Sequence, residues 1–169
     1  SFIGVYGRGF EESGAGFIVA YMRRSPKGND RDQIKAVANN EGDLAIVNTY
    51  YIGKLLNSKD EDEVKAGESV SIFFPNQETT GTHVNVSGIG VAKHAPNKEN
   101  AIQFIEFLLQ EKAQNIFAGS NYEYPVNPNV EPADILKSWG EFKEDELSLN
   151  ELGKNNKEAV IIFDKVGWK

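Results

Sequence analysis

The chain reads as short apolar runs alternating with stretches where apolar residues recur every three or four positions. Leu44-Ala45-Ile46-Val47 is an unbroken run rich in branched residues, and it predicts a strand of a parallel sheet with both faces covered. Asn48 and Thr49 follow as capping residues, so Tyr50 and Tyr51 fall in the first turn of a helix running through Leu56. Upstream, Phe17 to Met22 reads as the buried side of a helix. Asp30 is expected to cap a helix from Arg31 to about Asn40, with Ile34 and Val37 inward and Gly42 just past its end. Val70 to Phe74 predicts a second strand, ended by Pro75. Thr82 to Gly88 alternates, and Ile89 to Ala92 is a further apolar run. Asn97 is expected to cap one long amphipathic helix reaching Phe117 and stopped by Gly119, since Ala101, Ile102, Ile105, Leu108, Leu109 and Ile116 share a face. Short helices are expected over 133–140 and 147–152, and a last one from Asn155-Asn156 to Val166, closed by Gly167. Strands interleaved with helices make the fold class α/β.

Composition narrows the function. The chain has 169 residues, 40% of them hydrophobic, which suits one ordinary domain. No apolar run approaches membrane-spanning length. A net charge of −7 disfavours nucleic acid or an anionic membrane surface as a partner. No cysteine is present, so a disulfide framework and thiolate metal sites are excluded, and two histidines make the usual zinc sites a poor fit. Without an initiator Met, a charged start or an apolar leader, the signal peptide is expected to be absent. The early glycines (Gly7, Gly9, Gly14, Gly16) lack the Gly-Lys-Ser/Thr of a phosphate loop, and Asp60-Glu61-Asp62-Glu63 lacks calcium-loop spacing. There is no nucleophile elbow, zinc motif or histidine-based triad, so an enzyme is not expected.

The tyrosine pair carries the candidate chemistry. Ligands of open α/β sheets bind beyond the carboxyl ends of strands, which is where Tyr50 and Tyr51 fall. A phenol titrates near pH 10, and a hard trivalent cation such as ferric iron displaces its proton. The plainer reading is that both are ordinary half-buried aromatics, one on the sheet and one toward solvent. The pattern alone leaves both open.

Further phrases bear on that choice: Gly28 to Ala38, Glu41-Gly42-Asp43, Val47-Asn48-Thr49-Tyr50-Tyr51, Phe74-Pro75-Asn76-Gln77, Gly81 to Gly88, Ala95 to Ala101, Asn121 to Pro128, Leu152 to Asn156 and Gly167-Trp168-Lys169. Together they resemble the periplasmic ferric-ion-binding proteins, receptors of iron(III) ABC importers, from about Arg24 onward. The resemblance implies a type II periplasmic-binding-protein fold and a piece of a two-lobed protein. Residues 1–81 and 129–169 would then belong to the carboxyl-terminal lobe, and 82–128 would return to the amino-terminal one. It implies Fe(III) bound by Tyr50 and Tyr51, with a synergistic anion such as carbonate, phosphate or citrate near Asn48 and Asn29, or those two serving only as cap and turn. It also implies a monomer in the periplasm, or lipid-anchored at the cell surface, that docks on an inner-membrane permease. Related receptors bind anions, polyamines or sugars, which is the alternative. Tyr6 and Tyr21 are weak candidates for a third tyrosine and are expected in the core instead, Arg31 is expected at the surface rather than on an anion, His83 as a satisfied strand residue and His94 exposed.

Overall fold

The structure, a computed structural model, describes residues 8–168. Eight helices occur among them: α1 Arg8–Tyr21, α2 Asp30–Ala38, α3 Tyr50–Leu56, α4 Glu61–Glu68, α5 Lys98–Leu108, α6 Glu111–Asn121, α7 Asp134–Ser138 and α8 Leu149–Val166. None of the helices is long and apolar enough to cross a membrane.

The centre lies where α2, α3 and α4 meet. Ile34, Ile52 and Leu55 form a buried cluster, and Val47, Tyr51, Leu56, Val70, Ile72 and Trp139 pack on it. Leu55 and Leu136 are completely buried. A second unit pairs α1 with α8: a β-carbon built at Gly16 lies 3.7 Å from Val166 Cγ1, and Lys165 bonds to Glu12. Gln114 is a buried polar residue. Its amide donates to the Leu108 carbonyl (2.8 Å) and accepts from the Val126 N–H (2.9 Å), which fixes the α5–α6 corner against the following chain. Both halves of the amide are satisfied, as burial requires.

Several expectations are corrected. The runs 44–47 and 70–74 are not paired strands: among the described residues, the one β-bridge is parallel, between Thr82 and Glu144. Each run covers the α2–α3–α4 cluster with alternate residues (Val47; Val70 and Ile72) and turns the others outward, leaving Leu44, Ile46 and Phe73 at least 80% exposed. A strand needs neighbours for its backbone hydrogen bonds, and no described segment forms a bridge with these runs. The long helix expected over 97–117 is two. Leu109 ends α5, Gln110 is extended, and α6 continues through Gly119 to a left-handed Tyr122. The short helix over 147–152 and the last helix are instead one, α8, started by Ser148 and running through Gly153. The cap of α2 is Asn29, not Asp30: Asn29 Oδ1 accepts the Arg31 N–H (2.9 Å) and Asp32 Oδ2 the Asn29 N–H (2.7 Å), a reciprocal capping box. Asn40, at φ 60°, ends α2 before Gly42 is reached. Phe17 and Tyr21 stack on each other in the open, 4.4 Å apart, while Ala15 is the buried residue of α1.

Candidate functional site

The tyrosine pair opens α3, as its sequence predicts. The two rings lie 4.2 Å apart, tilted by 32°, and both residues are half-buried rather than sunk in the interior. Lys54 sits one turn on, at i+4 and i+3, where helical geometry brings it over the pair. Its ammonium is 4.8 Å from the Tyr50 ring and 5.8 Å from the Tyr51 ring, within cation–π range. Hydrogen bonding to Tyr51 pushes the Tyr50 phenol up to about 12, helped by partial burial and by the negative charges of Asp30 and Glu123. Tyr50 is therefore protonated at neutral pH.

The mount of the pair is unusual at its start. Thr49 precedes α3 in a helical conformation and makes no capping bond. Asn48 holds the entry instead. Its backbone N–H and side-chain amide both donate to Asp30 Oδ2, at 2.8 and 3.0 Å, and its Oδ1 accepts from the Asn85 amide at 2.9 Å. The Asn48 carbonyl takes the Tyr51 N–H (3.2 Å). Asp30 is free for this because Asn29 does the capping of α2. On the far side of α3, Tyr122 presses against Gly53. A β-carbon built there lies 2.6 Å from the Tyr122 Cβ and Cγ, so only glycine admits this approach.

Of the residues singled out in the sequence, Tyr50, Tyr51 and Asn48 lie together. Asn29 caps α2, with its oxygen bonded to Arg31. Tyr21 lies in the open on α1, contrary to the core packing expected of it, and Tyr6 falls outside the described residues. Arg31 pairs loosely with Glu63 (4.0 Å) and His94 is exposed. His83 is also exposed, not a satisfied strand residue; it lines a cavity of about 190 Å³ with Glu144, Asp145 and Leu147. Asp30, Lys54, Asn85 and Tyr122 were not found from sequence. Lys54 was accessible through helical spacing from the tyrosines. Gly53 inside a short helix hinted that another group comes close. Asp30 and Asn85 left no such signal. The described residues contain no cluster of three His, Cys, Asp or Glu side chains able to hold a metal.

Comparison with known proteins gives this geometry a family. Iron uptake protein A1 of Synechocystis is 51% identical over 152 residues, covering 90% of this chain and 42% of its own. A ferric binding protein from Campylobacter jejuni superposes with a TM-score of 0.96 at 41% identity, covering 99% of this chain and 53% of that one. A Trichodesmium protein solved with iron and citrate superposes at 0.95 with 45% identity, covering 99% and 53%. The chain thus spans about half the length of these proteins and has their α/β, type II periplasmic-binding-protein fold over that span. Residues 15–144 match the model of the bacterial extracellular solute-binding proteins, and the chain belongs to that family.

Proposed function

We propose that this chain is the tyrosine-bearing part of a ferric-ion receptor that binds and delivers iron without turnover. The observation that carries this reading is the pair of half-buried phenols side by side at the start of α3, in a chain whose similar proteins are named for iron uptake and ferric binding. Ferric iron is the cargo. Tyr50 and Tyr51 give up their protons to it and supply two of its ligands. An anion such as citrate, carbonate or phosphate fills further positions, in keeping with the iron and citrate of the Trichodesmium relative. An anion that reaches Asn48 displaces Asp30 from the two donors it now accepts; Asn29 contributes through its Nδ2, since its Oδ1 accepts from the Arg31 N–H. In the same reading, residues 82–128 return to a second lobe, and iron-loaded, closed protein docks as a monomer on an ABC permease from the periplasm.

Ferric citrate added to the protein is expected to raise a visible tyrosinate-to-iron charge-transfer band. The double variant Tyr50→Phe/Tyr51→Phe loses it; a band of unchanged position and strength in that variant refutes the assignment. A second reading keeps the fold and changes the ligand to an amine. It is favoured by Lys54, whose ammonium already rests over both rings. Calorimetry with spermidine set against ferric citrate separates the two.

A further inference from the structure

The first turn of α3 is steered from outside the helix. Thr49 makes no cap, so the direction of that turn depends on Asn48, whose carbonyl receives the Tyr51 N–H. The Asn48 side chain is held at both ends. Asp30 accepts its amide, and the Asn85 amide donates to its oxygen across 37 residues of sequence. Asn85 stands three residues beyond Thr82, where the chain is pinned: Thr82 N–H donates to the Lys143 carbonyl and Asp145 N–H to the Thr82 carbonyl, both at 2.8 Å. Gln77 reinforces that pin by bonding to both Thr82 Oγ1 and Lys143. Past it, the chain from Asn85 to Gly90 is exposed, and the Asn85–Asn48 bond ties it to the tyrosine mount.

We infer that Asn85 is a positioning residue for the tyrosine pair: through Asn48 it couples the placement of segment 82–90 to the aim of the two phenols, and so sets how fast the cargo leaves. The inference rests on the ferric reading above. When the segment shifts and the bond opens, Asn48 keeps Asp30 but loses the restraint on its other end. The first turn of α3 then gains freedom, and a ligand geometry that needs both phenol oxygens at once is lost sooner.

The test is transfer of iron from the full-length natural protein to a chelator, followed by decay of the charge-transfer band. Loss of one hydrogen bond between uncharged groups predicts release about three- to tenfold faster in Asn85→Ala. Asn85→Asp keeps the shape, removes the donor and sets a carboxylate against Asn48 Oδ1, so its release is faster still. Because Asn85 acts through Asn48, Asn85→Ala changes the release rate no further in an Asn48→Ala background, whereas a contribution to fold stability alone leaves release from the folded protein at the wild-type rate. A wild-type band with release rates unchanged in both single variants overturns the role of Asn85 alone. Absence of any band in the wild type overturns the ferric reading, and this inference with it. Asn85 is exposed, and matching far-ultraviolet circular dichroism of the variants checks that they fold.

Discussion

Gly53 and Gly153 each lie inside a helix, and replacing each by alanine is expected to move stability in opposite directions. In an open helix, Gly→Ala is stabilising by about 0.5–1 kcal/mol, because alanine loses less backbone freedom on folding. Gly153 meets that condition, since a β-carbon there touches nothing within 4 Å. At Gly53 the same β-carbon lies 2.6 Å from the Cβ and Cγ of Tyr122, and 2.9 Å from its Cδ2. The offending atoms lie at the root of the side chain, so no rotation about a distal bond clears them. Tyr122 is also left-handed, at φ 59°, which restricts its backbone. Relief requires α3 and the end of α6 to part. Overpacking of this kind costs about 1–3 kcal/mol, which exceeds the propensity gain and leaves Gly53→Ala destabilised by ~0.5–2 kcal/mol. Urea unfolding of the two variants beside the wild type measures the difference: the midpoint rises for Gly153→Ala and falls for Gly53→Ala at similar m-value. If Gly53→Ala is as stabilising as Gly153→Ala, the close packing of Tyr122 on α3 is wrong, and with it the backing of the tyrosine turn. Because α3 moves in relieving the clash, the charge-transfer band of Gly53→Ala is also expected to weaken.

Iron binding is expected to tighten with rising pH. Tyr50 holds its proton up to about 12, so under the proposed ligation each ferric ion bound at neutral pH displaces phenol protons; two released protons give affinity a rise of about a hundredfold per pH unit, and Tyr50→Phe reduces it to about tenfold. The slope is read from competition with a chelator corrected for its own protonation, and a pH-independent affinity rules out phenolate ligation. Leu55→Ala is expected to destabilise by about 2–5 kcal/mol, as a fully buried leucine that packs with Ile34 of α2 and with Ile52 of its own helix; chemical denaturation checks it, and a loss under 1 kcal/mol places the core elsewhere.

Local chemistry was enough to place the tyrosines. Tyr50 and Tyr51 begin a helix because residues adjacent in sequence make it so, and the same holds for α7 and for the closure of α8 at Gly167. Each depends on groups within a turn of one another, so the cue and its effect lie in the same few residues. The phrases that resemble iron receptors are likewise continuous stretches of chain. Burial and hydrogen-bond partnership had to wait for the folded molecule. Whether Leu44 and Ile46 are covered depends on what lies across from them, and an apolar run carries no record of that. The break at Leu109–Gln110 has no glycine or proline to announce it, and it is secured by Gln114 reaching back to the Leu108 carbonyl. Asp30 looked like a cap until Asn29 took that place, leaving its carboxylate for Asn48, eighteen residues away. Gly53 and Gly153 are equivalent as letters in helices and differ only because Tyr122 stands against one of them. A side chain's partner is chosen by the competition among every group that folding brings within reach, and most of those groups are distant along the chain.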